Sequence, residues 1–189
     1  MKSIPAPERS GSGAPTPPEL GGIRFDRPRL TDGDPMWRLA RSSPHIDANT
    51  PYFYLLWCRD FAASSAVARD GADLCAYTAG FVRPARPDTL FVWQTAVASA
   101  WQSVGLARRM LDLLVADRYR YVECSITADN PASDRYVRAF ARSRGAPVRC
   151  EPFLGPEHFG GAAHAPEILY RIGPLGPSGS PGSPGPLGP

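Results

Sequence analysis

The sequence predicts a β-sheet with helices packed against it, of the α+β or α/β class. Thr89–Val97 is a run of β-branched and aromatic residues, apolar in places on both faces, as in a central strand. Val104–Asp117 places leucines and a methionine at helical spacing, and Asn130–Arg144 is a second helical segment, which Gly145 closes. The chain has 189 residues, of which 43% are hydrophobic, so it suits about one domain with a true core.

The first third of the chain predicts an edge strand followed by two helices. Ile23–Arg27 alternates apolar and polar residues and then meets a proline, as a short edge strand does. Thr31–Pro35 offers polar N-cap candidates and an early proline for a first helix, which Pro44 ends. Asn49–Phe61 contains a second helical segment, with its apolar residues on adjoining faces.

Strands and one irregular loop are predicted around these helices. Asp70 and Gly71 form a tight turn between two strands, and the prolines of 84–88 predict an irregular loop before the central strand. The remaining strands are predicted at Ser65–Arg69, Leu74–Val82, Tyr121–Thr127, Val148–Pro152 and Ile168–Ile172.

The two ends of the chain differ in composition from its middle. Residues 1–22 and 176–189 are rich in Pro, Gly and Ser and lack a hydrophobic period, so both are predicted to be disordered tails. A docking peptide for a proline-binding domain is the minor alternative for these tails. Residues 23–175 are left as the folded domain.

Charge and cysteine usage exclude several classes of protein. The net charge is only +3, and the basic residues are interleaved with acidic ones, so no nucleic-acid partner is expected. No apolar run has the length of a membrane span, and no apolar segment follows the first lysine, so a cytoplasmic location is expected. The four cysteines form no CxxC pair, which predicts reduced thiols and no metal site.

The segment Gln102–Ala107 lies where the central strand gives way to a helix. Unpaired backbone N–H groups and a partial positive charge lie at a helix N-terminus, and small residues let a phosphate approach them. A diphosphate would fit there, although a plain turn explains these residues equally well. The segment lacks the lysine of a P-loop and the glycine pattern of a dinucleotide-binding fold.

The same segment, Q-x-x-G-x-A, resembles the Q/R-x-x-G-x-G/A pattern of the GNAT acetyltransferases, although its first half lacks their basic and glycine residues. Further strings resemble the diaminobutyrate acetyltransferases: Asp47-x-Asn49-x-x-Tyr52, Leu55-Leu56-x-Cys58, R-P-D-T-L-F-V-W-Q from Arg86, Asn130-x-Ala132-Ser133 and R-I-G-P-L from Arg171. The resemblance implies a GNAT fold of α/β/α type, a mixed central sheet with helices on both faces. It also implies a homodimer.

This resemblance implies acetyl transfer from acetyl-coenzyme A to the γ-amine of L-2,4-diaminobutyrate, a step in the synthesis of the osmoprotectant ectoine. Acetylation of another small amine, or coenzyme A binding without activity, are the alternatives. The residues implied for coenzyme A binding are Val97, Gln102, Ser103, Val104, Gly105, Leu106, Ala107 and Asn130.

The residues implied for the amine pocket are Asp47, Tyr52, Trp93, His164 and Glu167. Glu167 is the first choice for proton acceptor, and His164 and Trp93 complete the catalytic set, with Trp93 near the thioester. Without the resemblance, Trp93 would be interpreted as a core residue, and Asp47 and Asn130 as helix caps. His164 and Glu167 would be interpreted as surface side chains. The tyrosine that many GNAT enzymes use as a general acid is replaced by Val137, and Tyr136 lies one residue off, so the thiolate is expected to leave without a tyrosine.

Overall fold

A computed structural model describes residues 20–44, 46–116, 118–160 and 164–176 of the chain. In that part of the chain, seven strands form one sheet in the order β1-β2-β3-β4-β5-β7-β6. All neighbours are antiparallel except β4 and β5, which are parallel, so the predicted mixed sheet is confirmed. The strands are β1 Ile23–Asp26, β2 Ala66–Asp70, β3 Asp73–Arg83, β4 Arg86–Val97, β5 Tyr121–Thr127, β6 Val148–Leu154 and β7 Glu167–Ile172.

Four α-helices cover the two faces of this sheet, which confirms the α+β class with helices on both sides. They are α1 Gly33–Arg41, α2 Pro51–Asp60, α3 Leu106–Val115 and α4 Pro131–Ser143. The side chains of α1 and α2 pack with one face of β2–β4, around Met36, Tyr54, Trp57 and Tyr77. The side chains of α3 and α4 pack with the opposite face in a larger core.

A β-bulge in the middle of β4 changes which face its side chains occupy. Ala79 of β3 pairs with Gln94, whereas the next residue, Gly80, pairs with Val92, so Trp93 is the extra residue. Val92 belongs to the α3–α4 core, and Trp93 packs against the α1–α2 core. Gln94 bonds to tyrosines of the α1–α2 core as well, so two successive side chains point to one face.

The parallel strands β4 and β5 pair over a short length and then separate. Thr89–Phe91 pairs with Tyr121–Glu123, but β4 continues to Val97 and β5 to Thr127 without further pairing between them. The split leaves backbone groups of both strands facing a gap in the middle of the sheet.

Several boundaries differ from the sequence predictions. Residues 86–88 were predicted as loop but begin β4, because Arg83 pairs with Arg86 across a tight turn. Helix α3 begins at Leu106 and not at Val104, because Gly105 has a left-handed backbone (φ 89°) and caps the helix. Helix α1 ends at Arg41, before Pro44.

The predicted ends of the domain fall partly outside the described residues. Residues 1–19 of the predicted N-terminal tail, residues 177–189 of the C-terminal one and the predicted end of α3 at Asp117 lie there. Leu20–Gly22, which the sequence assigned to the tail, form a 3₁₀ turn, and Leu20 packs against the α3–α4 core. Leu20 is held in this turn because its apolar side chain packs against that core.

Candidate functional site

A pocket of about 650 Å³ lies where the end of β4, the loop after it and the first turns of α3 and α4 meet. Seven of the eight residues predicted for coenzyme A binding line it: Val97, Gln102, Ser103, Gly105, Leu106, Ala107 and Asn130. Val104 does not, because its side chain is partly buried against the α3–α4 core. The structure therefore brings together segments that are more than 30 residues apart in the sequence.

The loop before α3 has the backbone geometry of an anion site. Ser103 has a φ of 65°, which is uncommon for a residue other than glycine, and Gly105 has a φ of 89°. The first backbone hydrogen bond of the helix runs from the amide of Arg109 to the carbonyl of Gly105, at 3.0 Å. The amides of the first turn have no partner within the helix, and the residues of that turn line the pocket.

Asn130 serves as the N-cap of α4 and also lines this pocket. Its side-chain oxygen accepts a hydrogen bond from the amide of Ser133, at 3.1 Å. Capping and pocket-lining, which the sequence left as alternatives, are compatible in this geometry.

A second, smaller pocket of about 80 Å³ occupies the gap between β4 and β5. Val92–Thr95 form one wall and Cys124–Ile126 the other. Thr95, Ser133 and Tyr136 line both pockets, so the small pocket adjoins the large one. A chain bound in the large pocket could therefore present a reactive end at the split in the sheet.

His164 lies between two carboxylates near the ends of β5 and β7. Its Nε2 is 3.7 Å from Oδ2 of Asp47 and 3.8 Å from Oε1 of Glu167. Its Nδ1 is 2.7 Å from the carbonyl of Ala165, and its ring stacks on Phe159 at 3.7 Å. Nδ1 must carry a proton to donate to that carbonyl, which leaves Nε2 facing the carboxylates.

The exposure of these three side chains differs. Those of His164 and Glu167 are 23% and 19% exposed, so neither is the plain surface residue that its sequence context alone suggested. The side chain of Asp47 is 97% exposed, and its residue precedes α2 by four positions, so it does not cap that helix.

The two aromatic residues predicted for the amine pocket have different settings. Trp93 packs on Phe53 and Trp57 of α2, with ring centroids 4.8 and 4.7 Å apart, and also lines the small pocket. Trp93 is therefore partly a core residue and partly a pocket wall. Tyr52 is 66% exposed on the first turn of α2 and does not join the cluster around His164.

The sequence profile of the Acetyltransferase (GNAT) family matches residues 34–145, which include both pockets' walls from β4, α3 and α4. The chain belongs to this family.

Curated relatives and a solved structure narrow the comparison within the GNAT family. The L-2,4-diaminobutyric acid acetyltransferase of Streptomyces coelicolor is 47% identical over 81% of this chain and 94% of its own length. That of Marinococcus halophilus is 33% identical over 82% of this chain and 92% of its own. A diaminobutyrate acetyltransferase from Paenibacillus lautus, solved with L-2,4-diaminobutyric acid and coenzyme A, is 32% identical with a TM-score of 0.78. The match covers 84% of this chain and 98% of the Paenibacillus chain.

Two arginines in the large pocket of this GNAT chain were missed by the sequence reasoning. Arg108 of α3 and Arg135 of α4 both line it. The sequence reasoning looked for positive charge only in Gln102–Val104, where there is none. Arg108 forms an ion pair with Asp112, at 3.5 Å. Arg135 lines the pocket from the other helix, α4.

Tyr136 is another residue whose position the sequence misjudged. It lines both pockets, and its hydroxyl donates to the carbonyl of Ala107 in the first turn of α3, at 3.1 Å. Burial raises its pKa, so the hydroxyl stays protonated. Val137 beside it is 4% exposed and belongs to the α3–α4 core. A register count alone could not show that both residues reach the split.

The described ranges of the chain contain neither a metal-binding cluster nor a membrane-spanning helix. No group of three or more His, Cys, Asp or Glu side chains in those ranges is placed to hold a metal ion. Among the helices of those ranges, none combines the length and apolar character that crossing a bilayer requires.

Proposed function

We propose that this chain transfers the acetyl group of acetyl-coenzyme A to the γ-amine of L-2,4-diaminobutyrate, as a step toward ectoine. One observation carries the proposal: the carboxylate–histidine cluster is joined to the walls of the small pocket at the split. Gln94 of that pocket donates to the carbonyl of Asp47, and Glu167 pairs with Thr127, which follows the pocket residue Ile126 on β5. The Paenibacillus relative, solved with this amine and coenzyme A, supports the choice of both substrates.

The amine must lose a proton before it can react. An alkyl ammonium has a pKa of about 10, so the bound substrate needs a base near neutral pH. We assign this role to Glu167, which is only 19% exposed and lies 3.8 Å from His164. The exposed carboxylate of Asp47 is suited to pair with the α-ammonium group, and His164 lies between the two carboxylates.

The neutral amine then attacks the thioester carbonyl, forming the C–N bond. Backbone amides of β4 that face the split would stabilise the negative oxygen of the tetrahedral intermediate. The C–S bond breaks and coenzyme A leaves as its thiolate. The nitrogen, positively charged after the attack, gives up a proton to water, and the thiolate takes up a proton from water. Trp93 forms the wall beside the reacting atoms, and the amides opening α3 bind the diphosphate.

A thiol-release assay tests the substrate assignment. The purified chain is supplied with saturating acetyl-coenzyme A and with diaminobutyrate, ornithine or lysine in turn. We expect the highest kcat/KM for diaminobutyrate, because the Paenibacillus relative was solved with this amine as its substrate. Preference for one of the longer amines, or no turnover with any, would reject the assignment.

The role of Glu167 is tested by Glu167→Gln, which keeps the size of the side chain but removes its basicity. We expect kcat at neutral pH to fall by about two orders of magnitude, with KM for acetyl-coenzyme A little changed. Glu151→Gln, an exposed acid on β6, is the matched control and should retain full activity. A Glu167→Gln variant with kcat within threefold of the parent would remove Glu167 from the mechanism.

Two features of the assembled protein also belong to this proposal. We propose a homodimer, from the family resemblance, and a cytoplasmic location. Three of the four cysteines are buried and all four are free thiols, which suits a reducing compartment. Light scattering of the purified chain tests the homodimer, and cell fractionation tests the cytoplasmic location.

A further inference from the structure

Three side chains form a hydrogen-bonded group beneath the segment that carries Asp47. The hydroxyls of Tyr77 on β3 and Tyr54 on α2 both donate to Oε1 of Gln94, at 2.5 and 3.2 Å. The other end of the Gln94 amide, Nε2, donates to the backbone carbonyl of Asp47, at 3.3 Å. The amide of Asn49 donates to the hydroxyl of Tyr54, at 3.4 Å.

The chemistry of this group fixes the direction of the Gln94 amide. The backbone carbonyl of Asp47 can only accept, so the amide nitrogen of Gln94 must face it, and the two hydroxyls donate to the amide oxygen at the other end. With two hydroxyls on the oxygen, the NH₂ group is turned toward Asp47. Both tyrosines are fully buried, and burial raises the pKa of each phenol, so both remain donors throughout the working pH range.

The segment that receives these bonds is mostly exposed and is anchored at Ile46, which packs against the α1–α2 core. Residues 46–50 are irregular between α1 and α2, and four of the five are exposed. The backbone of this segment also bonds through the amide of Ile46 to Ser43, at 3.3 Å. The carboxylate of Asp47 lies 3.7 Å from His164, and the hydrogen bond from Gln94 anchors the backbone that carries this carboxylate.

We infer that Gln94 is a positioning residue for the amine site, aligned by Tyr54 and Tyr77 to hold the Asp47 segment against His164. The inference rests on the proposed function, since it assumes that Asp47 binds the amine. The β-bulge at Trp93 makes it possible, because without the extra residue Gln94 would point to the opposite face of the sheet.

Gln94→Glu is the most direct test, because it keeps the side-chain size and the oxygen that accepts from both tyrosines. It removes the donor to Asp47 and places an acid against that carbonyl. We expect KM for diaminobutyrate to rise about tenfold or more, with KM for acetyl-coenzyme A within twofold of the parent. Gln94→Met, which carries no charge, should change the same constant in the same direction.

Tyr77→Phe removes one of the two hydroxyls on Gln94 while keeping the buried ring. We expect a smaller rise, about threefold, in KM for the amine, because Tyr54 still holds the amide oxygen. The matched control is Tyr170→Phe, which removes a hydroxyl that donates to Asp134 at 2.9 Å, away from this segment. It should leave both KM values unchanged.

The outcomes separate this inference from the proposed function. A parent chain that acetylates no amine defeats the proposed function, whatever the variants do. If the parent is active and the Gln94 variants fold but keep KM for diaminobutyrate within twofold, the positioning role is wrong. It is equally wrong if both KM values rise in parallel, since that indicates general disorder. If both Gln94 variants fail to fold, Tyr77→Phe and Tyr170→Phe are compared. A rise in KM for diaminobutyrate with Tyr77→Phe alone supports the positioning role, and equal KM values for the two variants reject it.

Discussion

At the scale of single residues, the positive charge of the large pocket comes from side chains on the two helices beside it. The loop before α3 carries no positive charge of its own, because its residues are Gln102, Ser103 and Val104. The fold supplies positive charge to the same pocket from Arg108 and Arg135, on two different helices. A phosphate group responds to the charge around it and not to the position of that charge in the sequence.

Arg135→Ala tests this compensation. We expect KM for acetyl-coenzyme A to rise about threefold to tenfold, because an exposed guanidinium contributes modestly to phosphate binding. The effect should shrink at high salt and disappear with acetyl-pantetheine, a donor that lacks the diphosphate. Steady-state kinetics with both donors measure it.

Arg142→Ala is the control for the Arg135 experiment. Arg142 is exposed in the last turn of the same helix, but it does not line the pocket. Loss of one positive charge from α4 should therefore have no effect there. Equal changes in KM from both variants would show that only the net charge matters.

Element by element, the strands were more predictable than the boundaries between elements. Thr89–Val97 was recognised as a central strand because its residues suit burial on both faces. The bulge within it was not recognised, since neither Trp93 nor Gln94 is a residue type that marks one. Its only trace in the sequence is the polar Gln94 directly after four apolar residues, Leu90–Trp93.

The start of β4 shows a second limit of the sequence signal. Pro87 and its polar neighbours predicted a loop, but a proline is tolerated in the first residues of a strand. The start of α3 was placed two residues early because Gly105 was read as a small residue within the helix. Its left-handed backbone, which ends the loop, depends on the tertiary fold.

Gly80 is the position where the bulged strand meets its neighbour, and Gly80→Ala tests how tightly it does so. An added Cβ would lie 2.8 Å from the carbonyl oxygen of Phe91 and 3.0 Å from that of Ser64. Backbone oxygens of a sheet cannot move away readily, so we expect a loss of about 2 kcal/mol in unfolding free energy, roughly 4–8 °C in Tm.

Calorimetry of Gly80→Ala alongside Gly22→Ala makes this comparison. No atom lies within 4 Å of a Cβ built at Gly22, so that variant should melt with the parent. A Gly80→Ala protein as stable as the parent would mean that the strands around the bulge separate more easily than their geometry indicates.

At the scale of the whole molecule, the sheet divides the protein into two cores that meet the site from opposite sides. The α3–α4 core supports the coenzyme pocket, and the α1–α2 core supports the segment that carries Asp47. The order of elements and the family resemblance predicted this division, because helix and strand periods are local properties of the sequence. The meeting of Asp47, His164 and Glu167 was predictable only from the resemblance, since the three depend on contacts across about 120 residues.

Both cores contain buried thiols and phenols, so the stability of the molecule should depend on pH above neutrality. Burial raises the pKa of the Cys58 thiol from 9.0 to about 12, with a further contribution from the charge of Asp32. Burial likewise raises the pKa of Cys124 to about 12 and that of Tyr77 above its ordinary value. The folded chain therefore holds these protons more tightly than the unfolded chain does.

Below about pH 9 both states keep these protons, so the unfolding free energy should be constant there. Above it the unfolded chain ionises first, and each buried thiol lowers stability by up to about 1.4 kcal/mol per pH unit until its folded pKa near 12 is reached. Urea denaturation between pH 7.5 and 11 measures this slope.

Two cysteine variants serve as comparisons. Cys58→Ala should be less stable at neutral pH but lose less unfolding free energy per unit of pH. Cys150→Ser, at an exposed thiol, should show the same dependence of unfolding free energy on pH as the parent. A parent whose unfolding free energy stays constant up to pH 11 would show that these side chains meet water in the folded state, and the two-core arrangement would then be looser than its packing indicates.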